Sequence, residues 1–140
     1  MLNFFNKKNK EIIESSSVKI AALLIHVAKI DENYTEKERE IIKKTIIKLS
    51  SKNEIIDEVL TKAEQIEKNS NQILDFTREV KNMNEQSKVK IVEALWNIIY
   101  SDGSADMYEN SLMRRLTGLL YIDPKVVGNI KEKVKNNLKK

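Results

Sequence analysis

The sequence predicts an all-α protein, a compact bundle of about seven helices carrying an internal pseudo-two-fold repeat. Three observations predict it. Breakers are scarce: 140 residues hold 3 Gly and 1 Pro, too few for the many tight turns of a sandwich or barrel. Apolar residues recur at helical spacing along almost the whole chain. Residues 18–49 also recur as residues 89–120, at a constant offset of 71 with no gap, and a repeat of this kind shapes the whole fold.

The elements follow in order. Residues 1–14 form an amphipathic segment with Leu2, Phe4, Phe5, Ile12 and Ile13 apolar, and residues 15–140 form one domain. Ser15-Ser16-Ser17 reads as a cap before a helix over about 18–30. Its apolar positions (Val18, Ile20, Ala21, Leu24, Ile25, Val27, Ala28) cover so much of its surface that it should be central. After the polar loop Asp31–Tyr34, a helix is expected over about 36–49, with Ile41, Ile42, Thr45, Ile46 and Leu49 on one face. A third is expected over about 53–67 and a shorter one over about 71–81. The second copy follows as helices over about 85–101 and 107–120, joined by Asp102-Gly103-Ser104-Ala105. Asp123-Pro124 then sets an N-cap and a first-position proline for a last helix over about 124–138.

Composition narrows the functional classes. The chain is 41% apolar and 33% charged, with a net charge of +4. It has no Cys, which removes disulfides and thiolate metal sites and suits a reducing compartment. The start MLNFFNKKNK lacks the apolar run of a signal peptide. The most apolar stretch, Ile20–Ile30, is interrupted by His26 and Lys29 and is shorter than the roughly 20 residues of a bilayer span. A cytoplasmic protein is expected. Lysines gather at both ends, but acidic residues interleave elsewhere, so no specific nucleic-acid partner is expected. The aromatic and basic residues Phe4, Phe5, Lys7 and Lys8 suit a peripheral membrane contact.

The repeat extends beyond apolar residues. Val18-Lys19-Ile20 recurs as Val89-Lys90-Ile91, Leu24 as Leu95, Val27 as Ile98, Ile41-Ile42 as Leu112-Met113, and Lys43-Lys44 as Arg114-Arg115. Asp31 recurs as Asp102, and Glu38 as Glu109. Each unit therefore carries an Asp at the end of one helix and a Glu in the first turn of the next. Two physical readings stand side by side. Oxygen ligands on a loop between helices suit a hard cation such as Ca²⁺ or Mg²⁺, although the EF-hand pattern is absent. Alternatively, Thr35…Glu38 and Asp106…Glu109 are capping boxes, and first-turn carboxylates suit the helix dipole. Asp31 and Asp102 are less well served by capping. A negative charge at a helix C-terminus needs a cation, a hydrogen-bond donor or solvent.

At these residues the sequence resembles the TerB-like (tellurite-resistance protein B-like) domain family. The stretch Leu95-Trp96-Asn97-Ile98-Ile99-Tyr100-Ser101-Asp102-Gly103, followed by Glu109 and a helix ending Leu119-Leu120, carries the resemblance. Ala28-Lys29-Ile30-Asp31 through Glu38 looks like a degenerate first copy, without the loop glycine. The resemblance covers about residues 16–135. It implies a bundle of about seven helices, an acidic metal-binding site falling on Asp31, Glu38, Asp102 and Glu109, and a link to tellurite or chemical stress.

The remaining motifs are weaker. His26, the only histidine, sits on the apolar helix and is expected to be a hydrogen-bonded core residue. Trp96, Tyr100, Tyr108 and Tyr121 cluster around the second unit, and core packing is the expectation for them. P-loop and dinucleotide motifs are absent from the sequence. The expected function is a non-enzymatic binding or sensing module whose partner is another protein, with a divalent cation (Ca or Mg) at the loops. The alternatives are a metal-dependent enzyme using the same loops, and a purely structural adaptor.

Overall fold

The computed structural model describes residues 16–30, 34–49, 55–69, 73–102 and 107–138. Among these residues there are seven α-helices and no strand. Helix α1 covers residues 16–28 of the described chain. It is followed by α2 (Glu36–Leu49), α3 (Ile56–Asn69), α4 (Leu74–Lys81), α5 (Glu85–Ile99), α6 (Met107–Leu119) and α7 (Pro124–Leu138), with a 3₁₀ turn at Tyr100–Asp102 after α5. The predicted N-terminal amphipathic segment lies outside the described residues.

Local chemistry explains the boundaries. α2 starts behind the predicted capping box. The Thr35 N–H and hydroxyl donate to Glu38 Oε1 at 2.8 and 3.0 Å, and the Glu38 N–H donates to Thr35 Oγ1 at 3.2 Å. α5 is capped by Asn84, whose Oδ1 accepts from the Ser87 N–H at 2.8 Å. α7 opens on Pro124 behind Asp123, whose Oδ1 accepts from the Lys125 N–H at 2.9 Å. Of the predicted serine cap before α1, Ser15 lies outside the described residues. Ser16 and Ser17 are already helical, and the Ser16 hydroxyl donates to Glu79 Oε2 on α4 at 3.2 Å.

The duplication is visible in both boundaries and burial. α1 ends at residue 28 and α5 at Ile99, while α2 starts at Glu36 and α6 at Met107, so both landmarks repeat at the offset of 71. Leu24 and Leu95 are both fully buried, as are the equivalent pairs Ile20/Ile91, Ile42/Met113 and Ala28/Ile99. α1 is central as expected: from Val18 to Ala28 only Lys19 and His26 escape burial. Its counterpart α5 packs against α2 and α7, α2 against α3, and α6 against α4 and α7.

His26 departs from the core placement expected of it. It is half-exposed, and its Nδ1 lies 3.3 Å from Glu67 Oε1 on α3, whose other oxygen accepts from Lys29 Nζ at 2.7 Å. The imidazole edge stays at the rim because a buried carboxylate there offers it a partner.

Candidate functional site

The start of α2 and the turn after α5 come together at one end of the bundle. α1 and α5 both finish there, and α2 and α6 both start there. Lys37, in the first turn of α2, donates from Nζ to the Ser101 carbonyl at 3.2 Å and so joins α2 to the turn after α5. A lysine on the last carbonyls of α5 is favourable, because the C-terminal end of a helix carries partial negative charge.

The four predicted site residues fare differently. Glu38 is 4% exposed, and one of its oxygens is held by Thr35. This carboxylate therefore fastens its loop to α2. Glu109 lies half-buried in the first turn of α6. It faces Tyr100: burial first, then the charges of Glu132 and Glu109, raise the Tyr100 phenol above its ordinary value. Asp102 closes the 3₁₀ turn; its side chain lies outside the described residues, as does the whole of Asp31 and the predicted Asp106 cap. Among the described residues no three His, Asp or Glu side chains stand close enough to hold a metal ion.

Tyr34 closes the first loop. Its hydroxyl is buried without a hydrogen-bond partner among the described residues. Burial, then the charge of Glu64, push its phenol well above the ordinary range, with Arg39 opposing.

A second feature, missed by sequence reasoning, lies between α6 and α7. The turn joining them is a Schellman motif. The Tyr121 N–H donates to the Gly118 carbonyl and the Ile122 N–H to the Thr117 carbonyl, both at 3.3 Å. The left-handed position of such a turn normally holds glycine; here it holds Tyr121, at φ 55°. Tyr121 is 67% exposed, with Lys81 Nζ 4.5 Å above its ring. Its carbonyl accepts from the buried Lys88 at 3.4 Å.

Beside this turn runs an open groove of about 780 Å³. Its floor includes Trp96, whose indole N–H donates to the Val127 carbonyl at 3.1 Å. Trp96 pairs with Tyr100 at 6.1 Å between ring centroids, so these two aromatics are core residues as expected while Tyr121 is not. Gly118 and Gly128 face the groove from the two helices, and a Cβ on either would meet no atom within 4 Å. Arg114 and Lys131 supply its charge. Lys131 donates to Asn110 Oδ1 at 3.0 Å and lies 5.3 Å from the Trp96 ring centroid.

Fold and repeat together define a class: a duplicated helix–loop–helix bundle. The family model described as Tellurite resistance protein TerB matches residues 17–132. The chain belongs to the TerB family, as the Leu95–Gly103 stretch implied. No curated protein and no solved structure matches it.

Proposed function

We propose that this chain is a non-enzymatic binding and sensing module of the TerB family, and that the end where its two loops meet takes a divalent cation, Ca²⁺ or Mg²⁺. The observation that supports the reading is the Lys37–Ser101 bond, which joins the start of α2 to the turn after α5. The sequence places an Asp and a Glu in each of the two units, and hard cations collect such oxygens. In this reading Asp31, Asp102 and Glu109 are the ligand candidates, and Glu38 holds the first loop in shape. Cation uptake would prepare this end of the chain for a protein partner, in a cell under tellurite or related chemical stress.

Calorimetric titration of the full chain with Ca²⁺ and with Mg²⁺ tests this. Saturable heat is expected, reduced in Asp102→Asn and further reduced when Asp31→Asn is added. Wild type without heat, or the double variant with undiminished heat, rejects the cation. Metal-dependent turnover in a hydrolase screen would favour an enzyme instead.

A further inference from the structure

The internal repeat supplies a measure of what the α6–α7 groove lacks. Asn110, Arg114 and Gly118 on α6 are the counterparts of Arg39, Lys43 and Ile47 on α2, each at the offset of 71. On α2 the cations are satisfied by the next helix. Arg39 meets Glu64 at 3.5 Å and Lys43 meets Asp57 at 3.5 Å, both on α3. α3 carries Asp57 and Glu58 in its first turn, whereas α7 carries no acidic residue there. Arg114 accordingly makes no ion pair among the described residues, and α7 brings a further cation, Lys131, to the same groove. Among the described residues lining the groove there is no carboxylate.

The groove is also shaped to receive something. Two glycines inside helices carry a cost in helix propensity, and here no neighbour occupies the space where their side chains would be. Trp96, Met113, Ile122 and Val127 make the interior apolar, with the exposed Tyr121 ring at one end. Bulky aromatics and arginine around an apolar floor are the usual anchors of protein interfaces.

We propose that the groove between α6 and α7 is a docking site for an acidic peptide segment of a partner protein. Its carboxylates would meet Arg114 and Lys131, as Asp57 meets Lys43 in the first half, and an apolar side chain would enter between Gly118 and Gly128. The apolar floor favours such a segment over nucleic acid, whose phosphates would use only the two cations. The inference is independent of any cation at the loops.

Trp96 is the only tryptophan and forms part of the groove, so its emission reports occupancy. The full chain is titrated with a set of synthetic helical peptides, each with Glu spaced at one and two turns and Leu, Met or Phe on the same face. Matched peptides with Gln for Glu, oligothymidine and phosphatidylserine vesicles complete the set. At least one acidic peptide should shift the Trp96 emission saturably. Its affinity should fall about tenfold or more in Arg114→Glu and with the Gln peptide, and Gly118→Leu should abolish the shift. Arg114 is exposed, so its variant should melt as wild type does and keeps the test valid if Gly118→Leu does not fold. Silence across the acidic set, equal binding of the Gln peptides, or a response to oligothymidine or vesicles alone would overturn the proposal.

Discussion

The two halves of this chain share a frame and differ in how they finish it. In the first, α3 lies along α2 and neutralises it, with Arg39 on Glu64 and Lys43 on Asp57, and Glu67 gathers Lys29 and His26 at the rim of α1. In the second, α7 lies along α6 and leaves Arg114 without a carboxylate among the described residues, two helical glycines uncovered and Tyr121 in a left-handed turn. Equivalent core positions are apolar in both copies because both units bury that face in one shared core. The outer faces are free of that demand, and there the copies have diverged.

The shared frame predicts the largest effects. Leu24→Ala and Leu95→Ala remove equivalent, fully buried side chains, and each should cost about 3 kcal/mol in chemical denaturation. A loss confined to one of them would break the equivalence of the halves. Next comes the rim of the first half. Glu67→Ala removes a largely buried carboxylate that serves both Lys29 and His26, and a loss of about 2 kcal/mol is expected from the same measurement. Charge variants at Arg114 should leave the fold within about 0.5 kcal/mol of wild type, since Arg114 makes no ion pair among the described residues.

Smaller effects sharpen the second half. Gly118→Ala and Gly128→Ala should each raise stability by about 0.5–1 kcal/mol, because the added Cβ finds open space and alanine is the better helix former. Melting curves check this, and destabilisation would mean that the groove is closed in solution. Tyr121→Gly should relieve the left-handed position by about 1 kcal/mol, less what the Lys81 contact contributes.

The tyrosines at the two loops give a pH dependence. Tyr34 and Tyr100 are raised chiefly by burial, so the fold favours their neutral forms. That contribution is complete below the ordinary tyrosine value of about 10 and is lost as pH climbs above it. Denaturation midpoints should therefore fall in strong alkali, and less steeply in Tyr34→Phe. At neutral pH the same variant should gain about 1 kcal/mol by deleting a buried hydroxyl that has no partner among the described residues.

What the sequence made legible was local or periodic. α2 and α7 start where Thr35…Glu38 and Asp123-Pro124 place them, because caps involve neighbours in the chain. The repeat was readable for the same reason: apolar spacing and one constant offset. α1 begins earlier than the serine triplet suggested, because Ser16 finds Glu79 on α4, a partner 63 residues away. The His26–Glu67–Lys29 cluster and the groove likewise depend on pairings across the fold. One signal was present all the same. Arg114 aligned with Lys43, and the helix after Lys43 opens with Asp57 and Glu58, while the helix after Arg114 opens with Pro124 and Lys125. The acidic positions were readable as a pair of loops, and the Lys37–Ser101 bond adds what spacing lacked, the approach of the start of α2 to the turn after α5.

Backbone amide chemical shifts, followed while the isotope-labelled chain is titrated with the acidic peptide that responds best, test the contrast between the halves most directly. The account predicts shifts at Asn110, Arg114, Gly118, Gly128 and the Trp96 indole, with the equivalent α2 positions Arg39, Lys43 and Ile47 unmoved. Equal shifts on α2 and α6, or shifts confined to α2 and α3, would contradict it.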